Sequence, residues 1–545
     1  MEGRSSIVAM ASTVVDRVRP GSWAVKGHAR ALNGALEATV TFDTAHGRGL
    51  GNVRLRPDGC WTLFTKLVAL KGHEEACGPR RPIGHEPRPR RNRETWAEQR
   101  AREQGELGVS RQPYVVIVGG GQCGMALAAR LRLLEVPTVV LERCPRAGDT
   151  WRNRYKALCL HDPAWVCHLP CMPFPDHWPL YASKDKVADW FEMYVSVMEL
   201  DYWTKSTCTA ASWDDDEKHW VLSVNRDGQS VQLRPKHLVI ATGLYGLPRA
   251  PQFPGAESFQ GSILHTAKYT RGADYEGKRV VVIGSNTSAH DVCQDLWEQG
   301  VDVTMVQRSS TAIATVECTR KVLLKDYSEE ALAKGITTED TDLAIASVPY
   351  KVLTELHKVV CKAMQEHDAE LHERLRRAGF LLDSGEDGSG VFLKFLRRGS
   401  GFYFDGGASQ LIADGSIKLK GGSVARISER GVVTDDGTEL PADVVLLATG
   451  YQPMMSLART FLEKDVVDRV GAVWGLGSGT TNDPGPWEGE LRNVWKPTAQ
   501  EGLWIHAGNL LQNRIYSDVL ALQLKARHAG IPTPIYSLGL EPARQ

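Results

Sequence analysis

The chain is 545 residues long and carries 65 Lys and Arg against 65 Asp and Glu, with a near-neutral isoelectric point. Balanced charge excludes a whole-protein basic field for nucleic acid and an acidic tail, and no apolar run reaches the roughly 18 residues that span a bilayer. The length allows about three or four domain-sized units, and 11 cysteines without framework spacing fit reduced thiols in the cytosol.

Residues 1–77 are expected to form a small α+β extension around a sheet. Segments 37–43, 51–56 and 60–67 read as short strands separated by Gly and Pro-Asp-Gly turns. The first residues lack the charged, apolar and cleavage regions of a secretory signal, and Glu2 and Asp16 argue against a transit peptide. Residues 78–110, rich in Pro and Arg, read as a solvated linker, because Pro prevents compact structure and no aromatic residue interleaves the charges at 88–93.

From Pro113 the texture is βαβ. The apolar run 114–118 suits a strand buried on both faces, and Gly119-Gly120-Gly121-Gln122-Cys123-Gly124 leads into an Ala- and Leu-rich helix and a strand ending at Glu142. In such a turn Gly119 permits the tight bend, Gly121 lets the backbone approach a pyrophosphate, and Gly124 allows close helix–strand packing. The helix N-terminus donates to the phosphate, and Glu142 stands where it accepts from an adenosine ribose. A G-x-G-x-x-G alone is weak evidence; the strand, helix and distal acid around it carry the assignment.

A second unit begins at Arg279 and reads Gly284-Ser285-Asn286-Thr287-Ser288-Ala289, with Asn in the second glycine place and Ala in the third. Gly284, Asn286 and Ser288 are expected at a second nucleotide. Its strand ends in Gln307-Arg308-Ser309 without an acid. An acid there repels a 2′-phosphate and Arg pairs with it, so NADPH is expected at Arg308; the plainer reading is a solvent-exposed charge. Residues 315–380 should be a helical insert with a core-facing stripe of Val352, Leu356, Val359, Val360, Met364, Leu371 and Leu375. A strand-like run at 444–448 precedes Gly450, and a last strand and helix at 503–526 enclose Gly508 and Asn509.

His161, Cys167, His168, Cys171 and His177 cluster in sequence, but without C-x-x-C spacing and interrupted by prolines, so no metal is expected. The lack of a C-x-x-C beside either loop argues against a redox-disulfide reductase, the main rival with two such folds.

Between the two units, Phe259-Gln260-Gly261 through His265 to Tyr269 matches F-x-G-x-x-x-H-x-x-x-Y/F, and Asp443 through Leu447-Ala448-Thr449-Gly450-Tyr451 matches D-x-x-x-L/F-A-T-G-Y, with a shorter echo at Ala241-Thr242-Gly243. On these segments the chain, from about 114 to 526, resembles the class B flavin-dependent monooxygenases of the flavin-containing monooxygenase family. The resemblance implies an α/β fold of two Rossmann-like dinucleotide-binding domains. An FAD domain (111–261 and 444–545) would be interrupted by an NADPH domain (262–443) and preceded by the extension, whose residues 34–77 resemble a shortened NTF2-like sheet. Trp151, Arg154 and Tyr155 resemble the family's stretch near the flavin, with the tyrosine one place early; Gly450, Gly508 and Asn509 are also implied at FAD. His161 falls where animal members carry Asn and plant indole-pyruvate enzymes carry His, so it is implied beside the oxygenating flavin, a structural His before Pro163 being the alternative.

The implied activity is that of an N,N-dimethylaniline monooxygenase-like enzyme. NADPH reduces FAD, O₂ forms a C4a-hydroperoxide, and a small nucleophile is N- or S-oxygenated. Tyr269-Thr270, in place of Trp followed by Pro or Asp, favours heteroatom oxygenation over Baeyer–Villiger insertion; that insertion and decarboxylation of a 2-oxo acid are the alternatives, and a non-catalytic flavin-binding sensor or scaffold is the rival class. The partners expected are a small-molecule substrate and O₂, with no nucleic acid. The polar residues 538–545, unlike the hydrophobic anchor of animal members, point to a cytoplasmic location.

Overall fold

The computed structural model describes residues 3–32, 34–84, 88–89, 91–476 and 490–535; the polar segment 538–545 lies outside them. Two parallel five-stranded sheets form the frame. The first has the order Leu503–Ile505, His237–Ile240, Val115–Val118, Thr138–Leu141, Tyr202–Trp203. Its central strands are apolar throughout because both faces are covered. Val115 and Ile117 pack with the helices Gln122–Leu133 and Leu510–His528. Val116 and Val118, pointing the other way, pack with a three-stranded antiparallel meander, Ser206–Asp214, His219–Arg226 and Gln229–Leu233.

The second sheet repeats this design in the order Ser262–His265, Val444–Leu447, Arg279–Ile283, Asp302–Gln307, Lys418–Gly421. Val280 and Val282 face the helix Thr287–Glu298; Val281 and Ile283 face a small meander through Ile427 and Val432. Here the expected boundary between 443 and 444 is corrected. Val444–Leu447 is hydrogen-bonded inside the second sheet, Val445 lying opposite both Val281 and Ile263, so the chain leaves that half only at Ala448–Gly450.

The N-terminal unit is a helix, Arg4–Val18, and a four-stranded antiparallel meander, Gly21–Leu32, Ala35–Asp43, Gly47–Arg56 and Gly59–Leu70. The helix and the first strand lie outside the segments 37–43, 51–56 and 60–67 expected as strands. The expected linker is also corrected, since Trp96–Glu106 is a helix. Thr95 and Glu98 form a capping box at its start, and Arg100 is buried against Glu103 (2.7 Å) and Asp201 (3.1 Å).

The insert is helical, with Thr338–Ala346, Tyr350–His367 and Ala369–Arg377, followed by Gly390–Arg398. Its buried stripe is Leu353, His357, Cys361 and Met364, continued by Leu371 and Leu375. Val359, expected in that stripe, is 71% exposed, because the stripe runs one residue further round the helix than the apolar count suggested. Among the described residues no helix is long and apolar enough to cross a membrane.

Candidate active site

Each parallel sheet ends in a glycine cradle. At Gly119 the backbone has φ +112°, and a Cβ would lie 2.5 Å from the Ala241 carbonyl oxygen; at Gly124 it would lie 2.0 Å from the Gly119 oxygen. Both sites therefore admit only glycine. Gly121, the N-cap of helix Gln122–Leu133, is different: a Cβ there meets nothing within 4 Å, so its open side belongs to whatever occupies the cavity. Glu142 is 6% exposed. Its carboxylate accepts from the backbone N–H of Gly120 (2.9 Å) and of Cys144 (2.8 Å), so besides facing the cavity it shapes the loop.

In the second cradle Gly284 has φ +127°, and a Cβ would meet the Ala448 oxygen at 2.4 Å. Asn286 caps helix Thr287–Glu298 with φ −97° and ψ −171° and no side-chain cap bond. This is extended backbone that any residue adopts, which is why Asn is tolerated in a glycine place. Ser288 lines the cavity, and Arg308 stands exposed on its rim beside Ser309 and Ser423.

Both cradles open into one cavity of about 1930 Å³. Pockets for a single small ligand run to roughly 300–1,000 Å³, so the space suits two dinucleotides. Trp151 Nε1 and Thr242 Oγ1 line it as buried polar atoms without a hydrogen-bond partner, and such atoms need a partner from an occupant. Gly508 (φ +123°) and Asn509 close the cavity at the start of the last helix. The Asn509 side chain accepts from Gln512 N–H (3.0 Å) and its own N–H donates to Gln512 Oε1 (3.2 Å), so the side chain is engaged in capping and the helix N-terminus faces the cavity.

The 259–269 motif joins these parts. A Cβ at Gly261 would lie 2.2 Å from the Asp443 oxygen. His265 Nδ1 accepts from Ala267 N–H (3.0 Å), which leaves Nε2–H to donate to the Gly450 carbonyl (3.0 Å). Burial lowers the pKa of this imidazole. The neutral ring thus pins the Ala448–Tyr451 turn against the motif. Tyr269 donates to Asp295 Oδ2 (2.5 Å), which also accepts from Gly272 N–H (2.7 Å).

His161 lines the cavity, its ring 4.9 Å from that of Phe404. Arg154 lines the same cavity, its guanidinium carbon 5.9 Å above the Tyr155 ring. Tyr155 donates to Asp291 Oδ2 (2.5 Å), a bond between the segment that follows helix Asp149–Arg152 and the helix of the second cradle. Burial raises the pKa of Asp291 and of Asp162. Asp291 was missed in the sequence; its available signal was an acid one turn into the helix that follows the second loop.

The insert and its following strand add Phe392, Phe395, Phe402 and Phe404 to the wall, with Trp474 behind Phe395 (5.2 Å). They also bring Lys394, Arg397 and Arg398, paired with Asp383 (2.5 Å), Asp387 (2.7 Å) and Glu386. Of the Cys and His cluster of the sequence, His168 and Cys167 are engaged with backbone: His168 Nδ1 lies 2.9 Å from the Leu169 carbonyl, and Cys167 donates to the Asp162 carbonyl. A different trio, Cys318, His367 and Asp368, brings ligand atoms within 4.8 Å, but both Asp368 oxygens accept from Thr315.

Two parallel sheets with glycine cradles opening on one cavity define a flavoprotein oxidoreductase that binds two dinucleotides. Residues 116–381 match the family model described as pyridine nucleotide-disulphide oxidoreductase. The chain is 33% identical over 341 residues to the indole-3-pyruvate monooxygenase YUCCA1 of Oryza sativa subsp. japonica, covering 62% of this chain and 77% of that one. It is 30% identical over 349 residues to the probable indole-3-pyruvate monooxygenase YUCCA3 of Arabidopsis thaliana, covering 62% and 72%. The solved structure of an oxidized steroid monooxygenase bound to NADP shares the fold, with a TM-score of 0.55 at 18% identity over 77% of this chain and 86% of that one. The chain belongs to the class B flavin-dependent monooxygenases, and its cofactors are FAD and NADP(H).

Proposed function

We propose that this monooxygenase oxygenates a small aromatic molecule at a soft nucleophilic atom, an amine nitrogen or a sulfide sulfur. The observation that carries the reading is the part of the cavity wall built by the insert and its following strand. It is aromatic, and the cations the insert brings to it, Lys394, Arg397 and Arg398, are already ion-paired, which suits an uncharged aromatic body better than an anion. Gly121 and the N-terminus of helix Gln122–Leu133 would take the FAD pyrophosphate, in the loop that Gly119 and Gly124 shape, with Glu142 toward the ribose. Trp151, Arg154, Gly450, Gly508 and Asn509 surround the rest of the flavin. Gly284, Asn286 and Ser288 take the NADPH pyrophosphate, and Arg308 its 2′-phosphate. FAD, reduced by NADPH, supplies the O₂ chemistry; the protein orients the reactants and excludes water. Tyr155 Oη donates to Asp291 Oδ2 in the lining of the cleft, and the His161 ring faces the same cavity.

A second reading, attack on an aromatic 2-oxo acid, is favoured by the names of the plant relatives and by Arg154, a cavity cation with no ion pair among the described residues. Purified protein reduced with NADPH, mixed with O₂ and offered methyl phenyl sulfide, N,N-dimethylaniline, phenylacetone or indole-3-pyruvate decides between them. Sulfoxide or N-oxide formation coupled to NADPH is expected. Coupled turnover of the 2-oxo acid alone promotes the second reading, and coupled ester formation from the ketone makes the enzyme a Baeyer–Villiger monooxygenase. Bound flavin that NADPH never reduces removes the NADPH assignment of the second cradle.

A further inference from the structure

The N-terminal meander is tied to the substrate side of the cavity by buried charge. Arg54 and Glu37, opposite each other on neighbouring strands, are 6% and 3% exposed and pair at 2.7 Å. The Arg54 fork continues beyond its own sheet. It donates to Ser347 Oγ (2.8 Å) and to the carbonyls of Ser347 and Ala344 (3.4 Å each), at the end of insert helix Thr338–Ala346. Carbonyls there have no partner within the helix, and a cation suits that end of the dipole.

From the same helix, Asp342 accepts two bonds from Arg514 of the last helix (2.7 and 2.8 Å) and one from Tyr327 (2.6 Å). Arg514 donates onward to the carbonyls of Val166 (2.7 Å) and His168 (3.1 Å), in the segment that carries His161. A second tie, Lys66 to Asp518 (2.7 Å), holds the meander to the last helix. Directly after Ser347 the chain enters helix Tyr350–His367, whose His357 stacks on Phe392 of the cavity wall (4.9 Å).

We infer that the N-terminal meander is a positioning platform for the substrate-facing wall and that Arg54 is its positioning residue. The Arg54 fork fixes the end of the insert helix, and the Asp342–Arg514 pair carries that position to the His161 segment. A module appended only for partners has no use for a buried guanidinium that satisfies its neighbour's helix end. The choice of wall rests on the function proposed above; the clamp itself does not.

Replacing Glu37 and Arg54 together by Met removes the pair without leaving a buried lone charge. Hydrogen exchange in 338–346 and 164–169 is expected to quicken about tenfold or more while strands 47–56 and 59–70 stay protected. NADPH KM and the rate of flavin reduction should stay at parental values, while the KM for methyl phenyl sulfide rises about fivefold and peroxide release per NADPH increases. A general structural loss would lower all of these together. If the folded double variant keeps parental exchange in 338–346, the inference is wrong. If it does not fold, Ser347→Ala decides, because it leaves the ion pair intact and removes one acceptor. Exchange about threefold faster in 338–346 is then expected, and parental exchange overturns the clamp. Should the parent itself show no NADPH-dependent O₂ uptake, the proposed function fails while the exchange measurement still judges the clamp.

Discussion

Gly121 and Gly124 lie three residues apart in the first cradle and should fail for opposite reasons. At Gly124 a methyl would sit 2.0 Å from the Gly119 oxygen, so Gly124→Ala must move the loop backbone even in the empty protein. At Gly121 the methyl meets no protein atom within 4 Å. The apo fold of Gly121→Ala should lose no more than the poorer N-cap, about 1 kcal/mol, within a stability of roughly 5–15 kcal/mol. A methyl that crowds a bound phosphate costs about 1–3 kcal/mol, or roughly 5- to 150-fold in FAD Kd. Flavin-fluorescence titration of the two apo variants, with thermal melts of each, separates the effects. Gly121→Ala should melt close to the apo parent and bind FAD weakly; Gly124→Ala should melt well below it before any FAD is added. Parental FAD affinity in Gly121→Ala would falsify the close approach of this backbone to the pyrophosphate.

Arg308→Ala should raise the NADPH KM about tenfold or more, near 1.4 kcal/mol, and leave NADH unchanged; an unaltered NADPH/NADH preference returns Arg308 to a plain surface charge. His161→Ala should divert NADPH oxidation into hydrogen peroxide, measured as peroxide per NADPH, and parental coupling would make His161 structural. Burial without a partner at either ring nitrogen holds the His506 pKa down to about 3. Unfolded, this residue takes a proton near pH 6.5, so the stability it contributes is full above that pH and drains away as pH falls toward 3, about 4–5 kcal/mol in all. His506→Leu should therefore flatten the acid limb of Tm between pH 6.5 and 4, and an unchanged limb would count against a neutral buried ring.

The cradles were legible because their demands are local: a positive φ, a missing Cβ and an apolar strand before each leave a mark within six residues. The same holds for the 259–269 motif, although its His265 acts by fixing the Gly450 turn. Polar pairs made across long separations were not legible. Tyr155 meets Asp291 at a separation of 136 residues, Asp342 meets Arg514 at 172, and Arg54 meets Ser347 at 293; nothing near any of them announces its partner. The run 444–447 was recognisable as a strand, yet which sheet holds it depends on neighbours that an apolar run cannot name. Helix Trp96–Glu106 is a different failure, since Thr95-x-x-Glu98 marks its start and the Pro/Arg composition of the preceding stretch overrode that signal.

The first sheet borrows its outer strand, Leu503–Ile505, from the far end of the chain, and Cys123 of the first cradle reaches the Gly508 carbonyl across 385 residues. On a ribosome adding roughly 5–20 residues per second, the roughly 265 residues between Leu238 and its strand partner Leu503 take about 13–53 s. During that time the second sheet, whose strands all lie between 262 and 447, can close completely, while the first waits with the edge of strand His237–Ile240 unpaired. An exposed parallel edge in that interval is where assembly of this molecule is most open to mispairing.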